Sequence, residues 1–220
     1  MDAIKVCDLF DLTHTRAAKM LAACEYPWEA LSKIGETVLA IGQGLDLNDY
    51  DHPAEDLWIA KTATVAATAS IAGPCVIGEK TEVRPGAFIR GNVLVGDGAV
   101  VGNSCELKNC ILFDEVQTPH YNYVGDSVLG YKAHMGAGAV TSNVKGDKKN
   151  VVVHGERDYE TGRKKFGAML GDFAEIGCNS VLNPGTIIGR DSQVYPLSSV
   201  RGVVKARHIV KGARGAFAKD

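Results

Sequence analysis

From Ile59 onward a large apolar residue returns every six positions. Cut at that interval, the chain reads IAKTAT, VAATAS, IAGPCV, IGEKTE, VRPGAF, IRGNVL, VGDGAV, VGNSCE, LKNCIL, FDEVQT. Four places after each leading residue stands a mostly small one: Ala63, Ala69, Cys75, Thr81, Ala87, Val93, Ala99 and Cys105. The beat breaks over "FDEVQTPHYNYVGDSVLG", 113–130. It resumes at Leu129 (LGYKAH, MGAGAV, TSNVKG) and again at Leu170 (LGDFAE, IGCNSV, LNPGTI, IGRDSQ, VYPLSS), reaching Val200. A helix does not explain this, because six is not a multiple of 3.6 and the interspersed glycines disfavour one. A hexapeptide β-helix does. Each hexad supplies one short strand and one corner, and three hexads close a coil. The large residue points inward and the small one fits the turn. Stacked coils bury a continuous core and pair their backbone groups with their neighbours'. The fold class expected is an all-β solenoid, a parallel β-helix of roughly six coils of about 18 residues.

The flanking segments follow a different rule. Residues 1–55 read as a helical segment and linker. Thr13 or Thr15 is placed to cap "RAAKMLAAC", and Pro27 suits the first turn of "PWEALSKIGETVLAIGQGL", where Leu31, Ile34, Val38, Leu39 and Ile41 share a face. Such a segment serves as a cap or an interface arm. The β-helix is assigned to 56–205, interrupted at 147–169 by "DKKNVVVHGERDYETGRKKFGAM". There β-forming residues flank a charged turn, the pattern of a looped-out hairpin arm that contacts a subunit or forms a lid. Residues 206–220 are left as a C-terminal tail. With 45% hydrophobic residues and a net charge of −2, nothing suggests disorder or an electrostatic case for nucleic acid. No apolar run approaches about 18 residues, so no membrane span is expected. The acidic start "MDAIKVCDLFD" does not resemble a secretory signal. The six cysteines lack CxxC pairs or disulfide-rich spacing, which points to a reducing cytoplasm.

A prism of coils has flat faces, so a site has to form where the beat breaks or between neighbouring prisms. His120 lies in the main break, flanked by Tyr121 and Tyr123. An imidazole with an ordinary pKa of about 6.5 suits proton removal near neutrality. Arg84, Lys108, Lys148 and Lys149 reach the same side if the coils stack in register. A base beside several cations suits an amine that carries a phosphate.

"RPGAF" (84–88), "VGNSCELK" (101–108), "PHYNYVGD" (119–126) and "HMGAGAVTSN" (134–143) resemble the acetyltransferase domain of the bifunctional N-acetylglucosamine-1-phosphate uridyltransferase/glucosamine-1-phosphate acetyltransferase family, of the hexapeptide-repeat transferases. The likeness covers about 59–205, and "ETGRKKFGAMLGD" resembles nucleotidyltransferase-like relatives with an extra arm. The resemblance implies a left-handed coil, against the usual crossover hand, and a homotrimer with sites between subunits. It implies an acetyl-CoA-dependent N-acetyltransferase of nucleotide-sugar metabolism, with acetyl-CoA as cosubstrate and an amino-sugar phosphate such as glucosamine 1-phosphate as acceptor. By position, His120 corresponds to the base that deprotonates the sugar amine. Arg84, Lys108 and Lys149 correspond to phosphate and hydroxyl contacts, Tyr123 to a sugar contact, and Asn143 to a substrate contact that orients the base. Ala137 falls where a backbone N–H meets the thioester oxygen. Three positions depart from the pattern: His134 replaces an asparagine near the sugar, Val144 an aromatic near acetyl-CoA, and Cys178 a serine that contacts acetyl-CoA. The chain opens with helices in place of a Gly-rich nucleotide loop, so no pyrophosphorylase activity is expected.

Two rivals remain at this point. A non-catalytic trimer that binds a sugar nucleotide or acts as a scaffold would keep the fold. A zinc β-helix of the carbonic-anhydrase type needs three converging histidines, and the chain has His14, His52, His120, His134, His154 and His208 without an HxxxxH pair. No metal is expected.

Overall fold

A computed structural model describes residues 3–212 and 216–218. Short strands stack into a three-faced, left-handed parallel β-helix. The first face is a nine-stranded sheet. Eight of its strands run parallel, and the ninth, Ala216–Ala218, lies antiparallel on His208–Val210 at the edge. The coil that contains residue 205 therefore continues through His208–Val210, and the stack is taller than the six coils expected. The other two faces form one continuous fourteen-stranded sheet. They merge because Glu106–Leu112 and Tyr123–Leu129 are unbroken seven-residue strands that turn the corner between them.

Those two strands explain the break in the beat. Glu82, Val100, Gln117 and His134 stand in register across adjacent coils, so the step is 18 residues to Val100 and 17 for each of the next two. The missing residue is lost at one corner. Between Ile89 and Val93 the chain turns through Gly91 and Asn92, both at positive φ. Between Leu107 and Cys110 it turns through Asn109 alone, and Asp126 does the same one coil on. The stretch around His120 is thus not a loop. It is a shortened coil with Gln117–His120 as a regular strand paired on both sides.

The core is a column of inward residues, among them Ile77, Val95, Leu112, Leu129, Leu170 and Ile188, all without exposure. Strands of the second face (Cys75–Ile77, Val93–Val95, Ala168–Leu170, Thr186–Ile188) are buried at every residue. Alternate side chains of a strand point to opposite sides, so Val76, Leu94 and Ile111 face outward and still avoid water. What covers them is the N-terminal segment. It comprises helices α1 (Val6–Leu9), α2 (Ala18–Ala22) and α3 (Ile34–Gln43), with 3₁₀ turns at Leu12–His14 and Pro27–Ser32; α3 and the Pro27–Ser32 turn pack on the strands, and α1 and α2 pack on each other, α2 also on these turns. Helix α3 approaches so closely that a Cβ at Gly42 would fall 2.2 Å from the Trp58 ring. Expectation and structure differ in detail. Thr15 accepts the Ala17 N–H ahead of α2 without capping it, and the helix foreseen from Pro27 is split at Lys33. The split lets Trp28 pack on Phe166 (6.0 Å between ring centroids) while Ile34 and Val38 face the prism. No helix among the described residues is long and apolar enough to cross a membrane.

The insertion forms the hairpin Val152–His154/Asp158–Glu160. It does not project freely. Val151 and Val153 are buried, Tyr159 meets Tyr26 and Trp28, and Arg163 Nη2 donates to Ser32 Oγ at 2.7 Å.

Candidate active site

The corner between the first and third faces repeats one backbone device. Gly86, Ser104, Tyr121, Gly138, Asn179 and Leu197 occupy it in successive coils, all at positive φ. From Ser104 onward each residue's N–H donates to the carbonyl of the residue before the turn in the preceding coil: Ser104 to Pro85, Tyr121 to Asn103, Gly138 to His120, Asn179 to Ala137, Leu197 to Cys178, at 2.8–3.2 Å. This ladder draws His120, Ala137 and Cys178 onto one edge in consecutive coils, about 4.8 Å apart along the axis. Asn122 locks the edge from inside. Its buried Oδ1 accepts the His120 N–H at 3.1 Å, and its Nδ2 donates to the carbonyls of Gly136 (2.8 Å) and Ala139 (3.1 Å). The His120 side chain is exposed, and its ring has no hydrogen-bond partner among the described residues.

Around the corner, on the third face, a second group assembles. Lys108 Nζ lies 3.1 Å from both oxygens of Asp126, whose side chain is 5% exposed. Asn109 Nδ2 donates to Asp126 Oδ1 at 2.9 Å. Asn143 Nδ2 donates to Asp126 Oδ2 at 2.5 Å and to the Tyr123 hydroxyl at 3.2 Å. Room for the tyrosine comes from Gly125, where a Cβ would sit 2.4 Å from Tyr123 Oη. Burial raises the Tyr123 phenol pKa, helped by the charges of Asp126 and Glu106, so the group stays a protonated donor.

The remaining residues singled out in the sequence lie elsewhere. Arg84 is on the first face, paired with Glu82 at 2.9 Å. Lys149 is exposed in the turn ahead of the arm, its N–H on Asp147. Asn143 makes no hydrogen bond to His120. His134 sits on the first face in register with Gln117 and Glu175, and its Nδ1 lies 2.8 Å from Glu175 Oε2. The pair is shared by two clefts. One, of about 390 Å³, is also lined by Glu115, Gln117, Lys132 and Phe173; the other, of about 400 Å³, by Cys178, Gln193, Tyr195 and Pro196 among others. His120 lines neither. Asp126, Asn109, Asn122 and Glu175 escaped the sequence reading. Asn122 and Asp126 left a trace there, as residues of "PHYNYVGD" that were given no role. Among the described residues no group of three or more histidine, cysteine or acidic side chains gathers as metal ligands do.

Fold and repeat define a left-handed β-helix of the hexapeptide-repeat class. Within that class, residues 71–157 match the family model described as the GMPPB C-terminal domain. The bifunctional protein GlmU of Methanococcus maripaludis (strain S2) is 33% identical over 175 residues, covering 67% of this chain and 43% of that protein. The bifunctional sugar-1-phosphate nucleotidylyltransferase/acetyltransferase of Sulfurisphaera tokodaii is 33% identical over 114 residues, 51% of this chain and 28% of that protein. Among solved structures, a variant of perosamine N-acetyltransferase from Caulobacter crescentus, in complex with CoA and GDP-perosamine, is 18% identical with a TM-score of 0.39, over 74% of this chain and 56% of that one. The chain is a relative of the acetyltransferase domain of GlmU-like proteins. It spans less than half the length of these curated relatives.

Proposed function

We propose that the chain is an acetyl-CoA-dependent N-acetyltransferase acting on an amino-sugar phosphate such as glucosamine 1-phosphate, as a cytoplasmic homotrimer and without pyrophosphorylase activity. One observation carries the reading: the corner ladder sets His120, Ala137 and Cys178 on consecutive coils, with the Lys108–Tyr123–Asn143 group on the adjoining face. The GlmU-like kinship supports the same chemistry. In the proposed step His120 takes a proton from the acceptor amine as its nitrogen attacks the thioester carbonyl carbon. The oxyanion that forms meets the N–H of Ala137, one coil away. The oxyanion collapses and the C–S bond breaks, the imidazolium returns its proton to the departing sulfur, and the N-acetylated acceptor and free CoA thiol leave. Lys108 and Tyr123 face outward as donors to sugar or phosphate oxygens. Cys178 lies on the donor side of the edge, and His134, held by Glu175, stands on the first face as a further polar contact. Arg84 and Lys149 reach the acceptor only if a neighbouring subunit folds the site together.

The test is thiol release from acetyl-CoA with a panel of amino-sugar phosphates, nucleotide-linked amino sugars and serine. Turnover with an amino-sugar phosphate is the expected result. Tight sugar-nucleotide binding without any turnover would favour the non-catalytic trimer instead.

A further inference from the structure

We propose that Asp126 is the positioning residue of the acceptor site, an inference that rests on the acetyltransferase reading above. The carboxylate is buried, at a corner whose backbone is left-handed (φ 50°). Its two oxygens gather three side chains that come from two other coils and a neighbouring corner: Lys108, Asn109 and Asn143. A buried carboxylate without partners is costly, whereas one with several donors is held firmly. The consequence is directional. Asn143 spends its amide on Asp126 and on Tyr123 Oη, so the tyrosine accepts from inside and its own proton is free to point outward. Lys108 directs two contacts at Asp126 and keeps its third N–H for a ligand. The acceptor surface is therefore a pair of fixed donors on a charge-compensated base, suited to sugar hydroxyl and phosphate oxygens. Asn109 Nδ2 also donates to the Leu31 carbonyl at 3.1 Å, which ties the N-terminal covering segment to the same group.

Asp126→Asn keeps the side-chain shape, and asparagine tolerates the left-handed backbone. It removes the charge that holds Lys108. Steady-state kinetics on the full chain should show the acceptor KM rising about 10- to 100-fold, the size expected for losing hydrogen bonds to a charged group, with kcat and the acetyl-CoA KM within about twofold. Adding Lys108→Met should bring little further loss, since the two residues act as one unit. An unchanged acceptor KM, or losses that add, overturns the proposal. So does a loss of stability that shifts both KM values together. A second readout needs no activity. In the free parent protein, the side-chain NH₂ protons of Asn109 and Asn143, assigned with Asn109→Ala and Asn143→Ala, should exchange slowly with water, and in Asp126→Ala they should exchange fast. Unaltered exchange refutes the positioning role. A parent that neither turns over nor binds glucosamine 1-phosphate by calorimetry, yet shows the expected exchange difference, leaves the Asp126 cluster established and removes the acetyltransferase reading.

Discussion

At the residue scale the site divides into groups that are held and one that is free. Lys108, Tyr123 and Asn143 are fixed through Asp126, whereas His120 has a fixed backbone and an unengaged ring. Removing a held cation should weaken substrate binding, so Lys108→Ala should chiefly raise the acceptor KM in steady-state assays. Asn122→Ala would strip the His120 N–H and two corner carbonyls of their buried partner. Unpaired buried groups cost about 1–3 kcal/mol each, so the variant should unfold several degrees lower in a thermal scan. Tyr123 permits a signed pH test. Its pKa is raised by burial and by Asp126 and Glu106, so folding favours the protonated phenol. That contribution is fully present below the ordinary tyrosine value of about 10 and is lost as pH rises through the raised one. Tyr123→Phe should therefore lose less thermal stability than the parent between about pH 9 and 11; an equal loss would place the effect elsewhere. The sequence exposed these residues unevenly. His120 showed itself as an ionisable group in the altered stretch. Glu175 did not, because the hairpin insertion separates it from His134 by 41 positions and only the register brings them together.

At the element scale, the hexad beat made the coils legible, because the inward column requires one large residue per strand. Two features were harder to read for physical reasons. The 17-residue coils differ from their neighbours by a single corner residue, so the apolar frame slips by one and Phe113 takes a place that other coils give to Gly96 or Gly130. There it packs on Phe10, 5.1 Å between ring centroids. The covered face was signalled by consecutive apolar residues in CVI, VLV and CIL, where a half-exposed strand would alternate. Those runs mark the surface that α3 needs. Leu94→Ala should cost about 2–5 kcal/mol, read as a lowered denaturation midpoint, even though Leu94 points away from the prism's interior. A bulky residue at Gly42 should be as damaging, because Trp58 occupies the space.

At the scale of the whole molecule, the N-terminal segment covers one face and leaves two. Leu47, at 60% exposure, sits in the linker after α3, but Phe88 at 46%, Tyr121 at 64%, Tyr195 at 43% and Leu197 at 79% lie on those two faces and their corners. A trimer that meets along the edge carrying Leu197 would also close a neighbour over His120. Leu197→Asp, which suits the left-handed backbone there, should shift sedimentation from trimer to monomer and abolish turnover together.

The edge built around His120 is what the proposed chemistry depends on, and one comparison reaches it most directly. Acetyl transfer from acetyl-CoA to glucosamine 1-phosphate is measured for the parent and for His120→Ala, with acetyl-CoA binding and sedimentation followed alongside. General-base help is worth about 10²- to 10⁴-fold, so kcat should fall by that factor while donor affinity and assembly stay as they were. A His120→Ala protein that transfers acetyl groups as fast as the parent would contradict the proposed mechanism.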